Sequence, residues 1–208
     1  MSANSTLGTV GATPPPLPKM TYEEFLEWHP DSGTAEWVDG EAFVMAPPAT
    51  VHQRLAYLLA RCMSSFSDQK GLGEVFIPPF QMRLAGSGRE PDVVFVRTEN
   101  LSRIGGQYLS GPADLVVEIV SPESRRRDRV EKLAEYEQAG VREYWVVDPN
   151  RRQAEFYILG DDGKYRLASC PDGIFRSRVL PGMWIKVEWL WQEPLPTLPA
   201  ILRAWNLG

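Results

Sequence analysis

Two short apolar runs, each carrying one carboxylate, constrain the fold of this chain most strongly. Asp92 opens the Val-Val-Phe-Val run at 93–96, and Glu118 lies inside the Leu-Val-Val-Glu-Ile-Val run at 115–120. Short, continuous runs rich in β-branched residues are typical of buried strands. A carboxylate in such a strand needs a cation or several hydrogen-bond donors, because desolvation otherwise favours its protonated form. Carboxylates on two neighbouring strands could therefore supply the oxygen ligands that a divalent metal prefers.

Two helices are predicted around these strands. Apolar residues keep helical spacing from Leu55 to Phe66, which indicates an amphipathic helix that starts with a cap at Thr50 and runs to about residue 68. Ser124 can cap a second helix, for which Gly140 is a typical end signal.

The strands complete an α/β pattern. Extended segments are predicted at 74–84, 92–97, 114–120 and 143–147. The order helix, three strands, helix and strand predicts a mixed sheet with an antiparallel start, a helical crossover to its last strand and one helix on each face. Pro78-Pro79 interrupts the first segment and favours an edge position or a bulge there.

Further elements are expected on both sides of this core. Thr21 and Glu24 form the pattern of a capping box for a short helix through Trp28, and Asp39-Gly40 predicts the turn of a β-hairpin over 36–45. The C-terminal part is strand-like at 153–159, 164–169 and 183–189. Residues 1–19 are rich in Pro, Gly, Ser and Thr and are expected to be flexible, so 20–208 would form a single domain.

Composition narrows the functional class. The chain has 208 residues, of which 43% are hydrophobic, so we expect one hydrophobic core. Its two cysteines form no Cys-x-x-Cys pair, so we expect a reduced compartment and no structural zinc. The N-terminus lacks the features of a secretory signal and no stretch is long enough for a membrane span, which makes a cytoplasmic location without membrane contact the expectation. Two histidines without a His-Glu-x-x-His motif also disfavour a zinc hydrolase.

Charge leaves the question of nucleic-acid binding open. The formal net charge of -5 argues against a general nucleic-acid-binding surface. An arginine cluster after the Glu118 strand argues the other way; its members are Arg125, Arg126, Arg127 and Arg129. The cluster can be a solvated helix start or a DNA contact beside the site.

Lys132 could complete an Asp…Glu-x-Lys arrangement, in which Val120 occupies the usual lysine position. The strand travels about 10 Å beyond Glu118, and a helix folding back over the sheet returns about 10 Å by Lys132. Asp128, Lys132 and Tyr136 share one helix face. The alternative for Lys132 is an exposed lysine that pairs weakly with its helix neighbours.

With these residues, the sequence resembles the "Putative restriction endonuclease" family of the PD-(D/E)XK nuclease superfamily, over roughly residues 20–190. The resemblance rests on the order and spacing of several short segments: Tyr22-Glu23-Glu24-Phe25, Glu36-Trp37-Val38-Asp39-Gly40, Pro47-Pro48 with His52, Pro91-Asp92, Glu118-Ile119-Val120-Ser121-Pro122, Asp128 with Lys132 and Tyr136, and 140–149. In that family the motif lysine is displaced from the strand to the following helix, as Val120 and Lys132 suggest here.

The resemblance implies a restriction-endonuclease-like core and a Mg²⁺-dependent endonuclease that hydrolyses DNA phosphodiester bonds, with Mn²⁺ as a possible substitute. Asp92, Glu118 and the backbone carbonyl of Ile119 would hold the metal, and Lys132 would orient the water or stabilise charge on phosphorus. Further candidates for the site are Glu36, His52 and Gln81. A homodimer is expected, because cutting both strands needs two sites.

Structural alternatives remain for each candidate. Asp92 could cap its strand after Pro91, Glu118 could form a buried ion pair with an arginine, and Glu36 could belong to a surface cross-strand pair. His52 could be polar and partly buried without a catalytic role. The chain could also be a catalytically silent nucleic-acid-binding module, or an oligomeric interaction protein that uses its C-terminal tryptophans, Trp184, Trp189 and Trp191.

Overall fold

The computed structural model describes residues 19–28 and 34–207. The segment predicted to be flexible, 1–19, lies outside the described residues except for Lys19. Within the described part, no helix is both long and apolar enough to cross a membrane.

A six-stranded mixed sheet forms the centre of the fold, in the order β12-β11-β10-β9-β6-β3. Its strands are β3 (Gly73–Phe76), β6 (Val93–Arg97), β9 (Leu115–Ile119), β10 (Glu143–Asp148), β11 (Gln153–Leu159) and β12 (Tyr165–Leu167). The neighbours β3/β6 and β6/β9 are antiparallel, while β9 and β10 are parallel and joined by a helical crossover. The predicted α/β class, antiparallel start and crossover are confirmed.

The two predicted helices cover opposite faces of this sheet. Helix α2 (Thr50–Lys70) packs its apolar face on side chains such as Phe95 and Val117. Helix α3 (Lys132–Ala139) packs on the alternate set, such as Val116 and Val146. Because successive side chains of a strand point to opposite faces, Glu118 lies on the face that α3 covers.

A second six-stranded sheet, in the order β2-β1-β5-β4-β8-β7, stands beside the first. It contains β1 (Ala35–Val38), β2 (Glu41–Val44), β4 (Gln81–Arg83), β5 (Ser87–Arg89), β7 (Ile104–Gly105) and β8 (Tyr108–Ser110). The hairpin of β1 and β2 is confirmed, with both turn residues at positive φ, as a two-residue hairpin turn requires. Helix α1 (Tyr22–Glu27) carries the predicted capping box.

The predicted strand over 74–84 is two strands in two different sheets. Pro78-Pro79 lies between β3 and β4, where the chain leaves the central sheet. Proline has no backbone N–H to donate to the hydrogen-bond ladder of a sheet, so a continuous strand is disfavoured at Pro78-Pro79. The short strands β5, β7 and β8 were not predicted, because two or three residues are too few to show a period.

The C-terminal part is shorter in strand and richer in helix than predicted. A two-stranded sheet of β13 (Ile174–Arg176) and β14 (Trp184–Lys186) is followed by a short helical turn at Val187–Trp191 and by α4 (Leu198–Ala204). Trp184, Trp189 and Trp191 pack against the core under α2.

The side-chain caps expected for the two helices of the core, at Thr50 and Ser124, are wrong. Thr50 is the first helical residue, and Ala49 before it offers no side-chain cap. The Ser124 hydroxyl accepts from the Ser121 N–H and donates to the Asp128 carboxylate, so it does not cap the helix N–H groups.

Candidate active site

Lys132 lies at the centre of a buried cluster of carboxylates. Its ammonium Nζ is 2.7 Å from Glu36 Oε1, 2.8 Å from Glu118 Oε1 and 3.8 Å from Asp128 Oδ1. The Lys132 side chain is only 3% exposed, which excludes the surface lysine that was the alternative. Glu36 comes from the second sheet and Glu118 from the central sheet, so Lys132 joins the two.

A distorted helical segment precedes this lysine. The five residues Arg127–Glu131 form a π-helical segment before α3 begins at Lys132. Such segments are rare and frequent at functional sites. Ser124 bonds the Asp128 side chain, and the Tyr144 hydroxyl donates to the Asp128 carbonyl at 2.9 Å, which anchors the segment on β10.

Glu118 is held in place by two donors. Its Oε1 accepts from Lys132 Nζ at 2.8 Å and from the Tyr136 hydroxyl at 2.9 Å. Burial raises the pKa of Glu118 to about 8; the Lys132 ammonium opposes the shift, and the nearby carboxylates of Asp128 and Asp92 add to it. Added positive charge beside Glu118 would favour its ionised form.

Glu36 remains ionised through a second cation that the sequence did not reveal. Burial alone would raise its pKa, but the Lys132 ammonium and the Arg89 guanidinium lower it to about 2. Arg89 Nη1 lies 3.0 Å from Glu36 Oε2, and Arg89 Nη2 lies 2.6 Å from Glu135 Oε2. The Ser87 hydroxyl contacts Glu135 as well. The Arg89-Glu90 pair just before Pro91-Asp92 is the signal that could have indicated this arginine.

Asp92 lies at the end of the sheet beside Glu118. The register pairs Val93 with Val117, and the next pair in this register is Asp92 with Glu118. Asp92 Oδ2 accepts from the Ile119 N–H at 2.6 Å and lies 3.2 Å from His52 Nε2. The first contact is a strand-end cap of the kind considered as the alternative for Asp92.

The donor chemistry of the site fits a hard divalent cation. Carboxylates converge here from Glu36, Asp92, Glu118 and Asp128, and Asp128 Oδ1 is buried without a hydrogen-bond partner among the described residues. Within residues 19–28 and 34–207, however, no three His, Cys, Asp or Glu side chains are already arranged around one metal position. In this arrangement the Lys132 ammonium lies between two of the carboxylates.

Gln81 does not join the cluster. Its amide donates to the Ala35 carbonyl at 2.8 Å and to Glu90 Oε2 at 3.2 Å, and β5 separates its strand from β1. Burial raises the pKa of Glu90 to about 7, with hydrogen bonds from Ala35 and Gln81 opposing the shift. Gln81 therefore supports the packing behind Glu36.

Part of the arginine cluster is used within the protein. Arg129 bridges the buried Asp148 and Glu155, each at 3.1 Å, and Arg125 Nε lies 3.5 Å from Asp148. Arg126, by contrast, is 85% exposed. Arg125 and Arg129 attach the start of the helix to β10 and β11, so these two arginines are less accessible to DNA than the sequence suggested.

A mixed α/β sheet with a buried cluster of one lysine and several carboxylates at the ends of its central strands defines a protein of the restriction-endonuclease-like class. The chain belongs to the family described as "Putative restriction endonuclease" (Uma2), whose family model matches residues 22–188. The predicted resemblance is confirmed.

A solved structure supports the fold. The chain is similar to the crystal structure of "a putative nuclease belonging to DUF820" from Anabaena variabilis ATCC 29413, with a TM-score of 0.71 and 15% sequence identity. The similarity covers 83% of this chain and 97% of that chain. At this identity it bears on the fold alone. No curated protein matches the sequence.

Proposed function

We propose that this protein is a metal-dependent endonuclease that hydrolyses phosphodiester bonds in DNA. Membership of the family and the nuclease-like fold support a nuclease. The observation that carries the proposal is the burial of Lys132 between Glu36 and Glu118, with Asp92 next in register beside Glu118. Buried, mutually perturbed ionisable groups are a feature of functional sites.

Asp92, Glu118 and the backbone carbonyl of Ile119 are the groups that would hold Mg²⁺, or Mn²⁺ in its place. Such an ion, when bound, polarises the scissile phosphate and acidifies a bound water. Without it, the buried carboxylates repel a phosphate. We therefore expect the metal-free site to bind the scissile phosphate poorly.

Lys132 would act as a fixed cation and not as a proton acceptor. Burial alone would lower its pKa, but Glu118, Glu36 and Asp128 together hold the pKa above its usual range. The ammonium would donate to the attacking water or to a phosphate oxygen, where negative charge grows in the transition state.

One observation favours a second candidate, a catalytically silent DNA-binding module. Lys132 already has two carboxylate partners, and Asp92 is engaged by the Ile119 N–H and by His52. These side chains are therefore satisfied without a metal, as in a site that has lost turnover.

A nuclease assay with Lys132→Ala tests the proposal. Cleavage of plasmid DNA with Mg²⁺ or Mn²⁺ should fall by about 10²–10³-fold, as for the loss of one preorganised electrostatic group. Lys164→Ala is the matched control. Lys164 is an exposed lysine, and it pairs with Glu137, which is not a member of the buried cluster. Since Lys132→Ala also leaves two buried carboxylates less compensated, circular dichroism must show a folded variant at the assay temperature.

A double variant tests the geometry. Val120 is buried one residue beyond the end of β9, in the same core cluster as Val116 and Tyr136, so Val120→Lys in the Lys132→Ala background should restore part of the activity. Wild-type rates in a folded Lys132→Ala variant would show that this lysine has no role in hydrolysis. Absence of any cleavage by the wild type would favour the binding module.

A further inference from the structure

A groove lies beside the candidate active site, between the first three turns of α2 and the C-terminal segment 190–199. Its volume is about 740 Å³. Val51 lines the groove, and the next residue, His52, contacts Asp92. Pro149 also lines it, directly after the end of β10, whose residue Val147 pairs with Ile119. The groove therefore lies at the same end of the central strands as the site, on the side of the sheet that α2 covers.

The groove is basic within an acidic protein. Arg54, Arg61 and Arg152 line it and are exposed, and none of them forms an ion pair with another described residue. Among the described residues of the lining, Glu193 is the one acidic side chain. This excess of positive charge contrasts with the formal net charge of -5. It is complementary to a chain of phosphates.

The groove also offers an aromatic and apolar surface. Tyr57 is 61% exposed, and the Arg61 guanidinium lies 5.1 Å from the centre of its ring. Leu58, Leu195 and several prolines add apolar wall. A duplex keeps its bases stacked inside, so it would use the arginines but not this surface. Unpaired bases can stack on an aromatic side chain while their phosphates meet arginines.

We propose that this groove binds unpaired nucleotides of DNA that flank the phosphate in the active site. Arg54 and Arg61 contact the backbone, and Tyr57 provides a face for a base. The inference rests on the proposed action on DNA, but its test needs no cleavage. A substrate with a single-stranded end or gap beside the cut is then preferred over a blunt duplex.

Fluorescence anisotropy with fluorescein-labelled hexathymidylate and a blunt 12-base-pair duplex, in EDTA and at several NaCl concentrations, tests the groove. Wild type should bind the hexanucleotide more tightly than the duplex. Arg54→Gln with Arg61→Gln should weaken binding and reduce the slope of log K against log [NaCl] by about 1.4, at roughly 0.7 for each lost phosphate contact on a single strand. Tyr57→Leu should weaken binding about tenfold and leave the slope unchanged, because stacking releases no counterions.

The double variant Arg176→Gln with Arg178→Gln is the matched control. The Arg178 N–H bonds Glu143 at the start of β10, so this pair lies roughly 17 Å, one strand length, from the groove end of that strand. It should bind like wild type. Unchanged binding by the groove variants, an equal loss in the control, or equal affinity for the blunt duplex would each overturn the inference.

Cleavage separates this inference from the proposed function. If hexanucleotide binding depends on Arg54, Arg61 and Tyr57 but the protein does not cut DNA with Mg²⁺ or Mn²⁺, the result supports the groove and contradicts the proposed nuclease activity. If the wild type cuts DNA and every groove variant binds the hexanucleotide as the wild type does, the result contradicts the groove proposal and supports the nuclease activity.

Discussion

Replacing Glu118 by glutamine should stabilise the metal-free protein at neutral pH, by an amount that grows with pH. The pKa of Glu118 is raised from its ordinary value of 4.5 to about 8, first by burial and then by Asp128 and Asp92, against the pull of Lys132. The folded state therefore binds the Glu118 proton more tightly than the unfolded state does. Stability from this group is complete below pH 4.5 and is lost as the pH rises towards 8.

The magnitude follows from the width of that window. Between pH 4.5 and pH 7 the unfolded chain releases the proton while the folded protein largely keeps it, which costs about 3 kcal/mol at roughly 1.4 kcal/mol per pH unit. Glutamine keeps an acceptor oxygen for Lys132 and Tyr136 and does not titrate. The free energy of unfolding of Glu118→Gln minus that of wild type should therefore rise by about 3 kcal/mol over this interval.

Urea unfolding in EDTA, followed by tryptophan fluorescence at pH 4.5, 5.5 and 7, measures this difference. Glu74→Gln is the matched control, since Glu74 is an exposed glutamate on β3 of the same sheet. A difference that stays constant with pH would refute the reasoning. A difference that falls as the pH rises would show that the Lys132 ion pair, and not desolvation, decides the charge of Glu118.

Three other perturbations test separate parts of the site and its assembly. Asp92→Ala and Glu118→Ala should each abolish Mn²⁺ binding in isothermal titration calorimetry, and an unchanged affinity in both would remove the metal-site proposal. Arg89→Leu should lower the free energy of unfolding by about 3–5 kcal/mol, because it leaves Glu36 buried with one cation fewer; a loss below 1 kcal/mol in denaturant unfolding would contradict this. Light scattering at micromolar concentration should give twice 23.4 kDa if the predicted homodimer exists, and a 23.4 kDa species alone would count against it.

Local geometry, together with the family resemblance, predicted that Lys132 reaches Glu118. The strand length beyond Glu118 and the rise of the returning helix are both fixed by backbone geometry, so counting residues gave a usable distance. The π-helical segment before Lys132 was not predicted, because nothing in the sequence Arg-Asp-Arg-Val-Glu distinguishes it from an ordinary helix. The lysine reached the carboxylates although the helix was not regular.

The partners from the second sheet could not be predicted in the same way. Arg89 meets Glu36, 53 residues earlier in the chain, because β1 pairs with β5, and β5 has only three residues. Pairing over such a separation depends on tertiary packing, to which a three-residue strand contributes no periodic signal. The sequence therefore indicated Lys132 and the carboxylates that it contacts, but it did not indicate Arg89, the second cation beside Glu36.

The placement of Lys132 on a helix has a consequence for how the site is assembled. Glu36 and Glu118 come from different sheets, and α3 supplies the ammonium that both of them contact. If the helix moved away from the sheet, the ionised Glu36 would lose one of its two cations and Glu118 would lose a hydrogen-bond donor, and breaking a buried ion pair costs several kcal/mol. A lysine at position 120 would follow directly after the strand of Glu118. Its ion pair would then not involve α3, so packing of the helix would not depend on that charge. The displaced lysine therefore couples the packing of α3 and the two sheets to the electrostatics of the candidate active site.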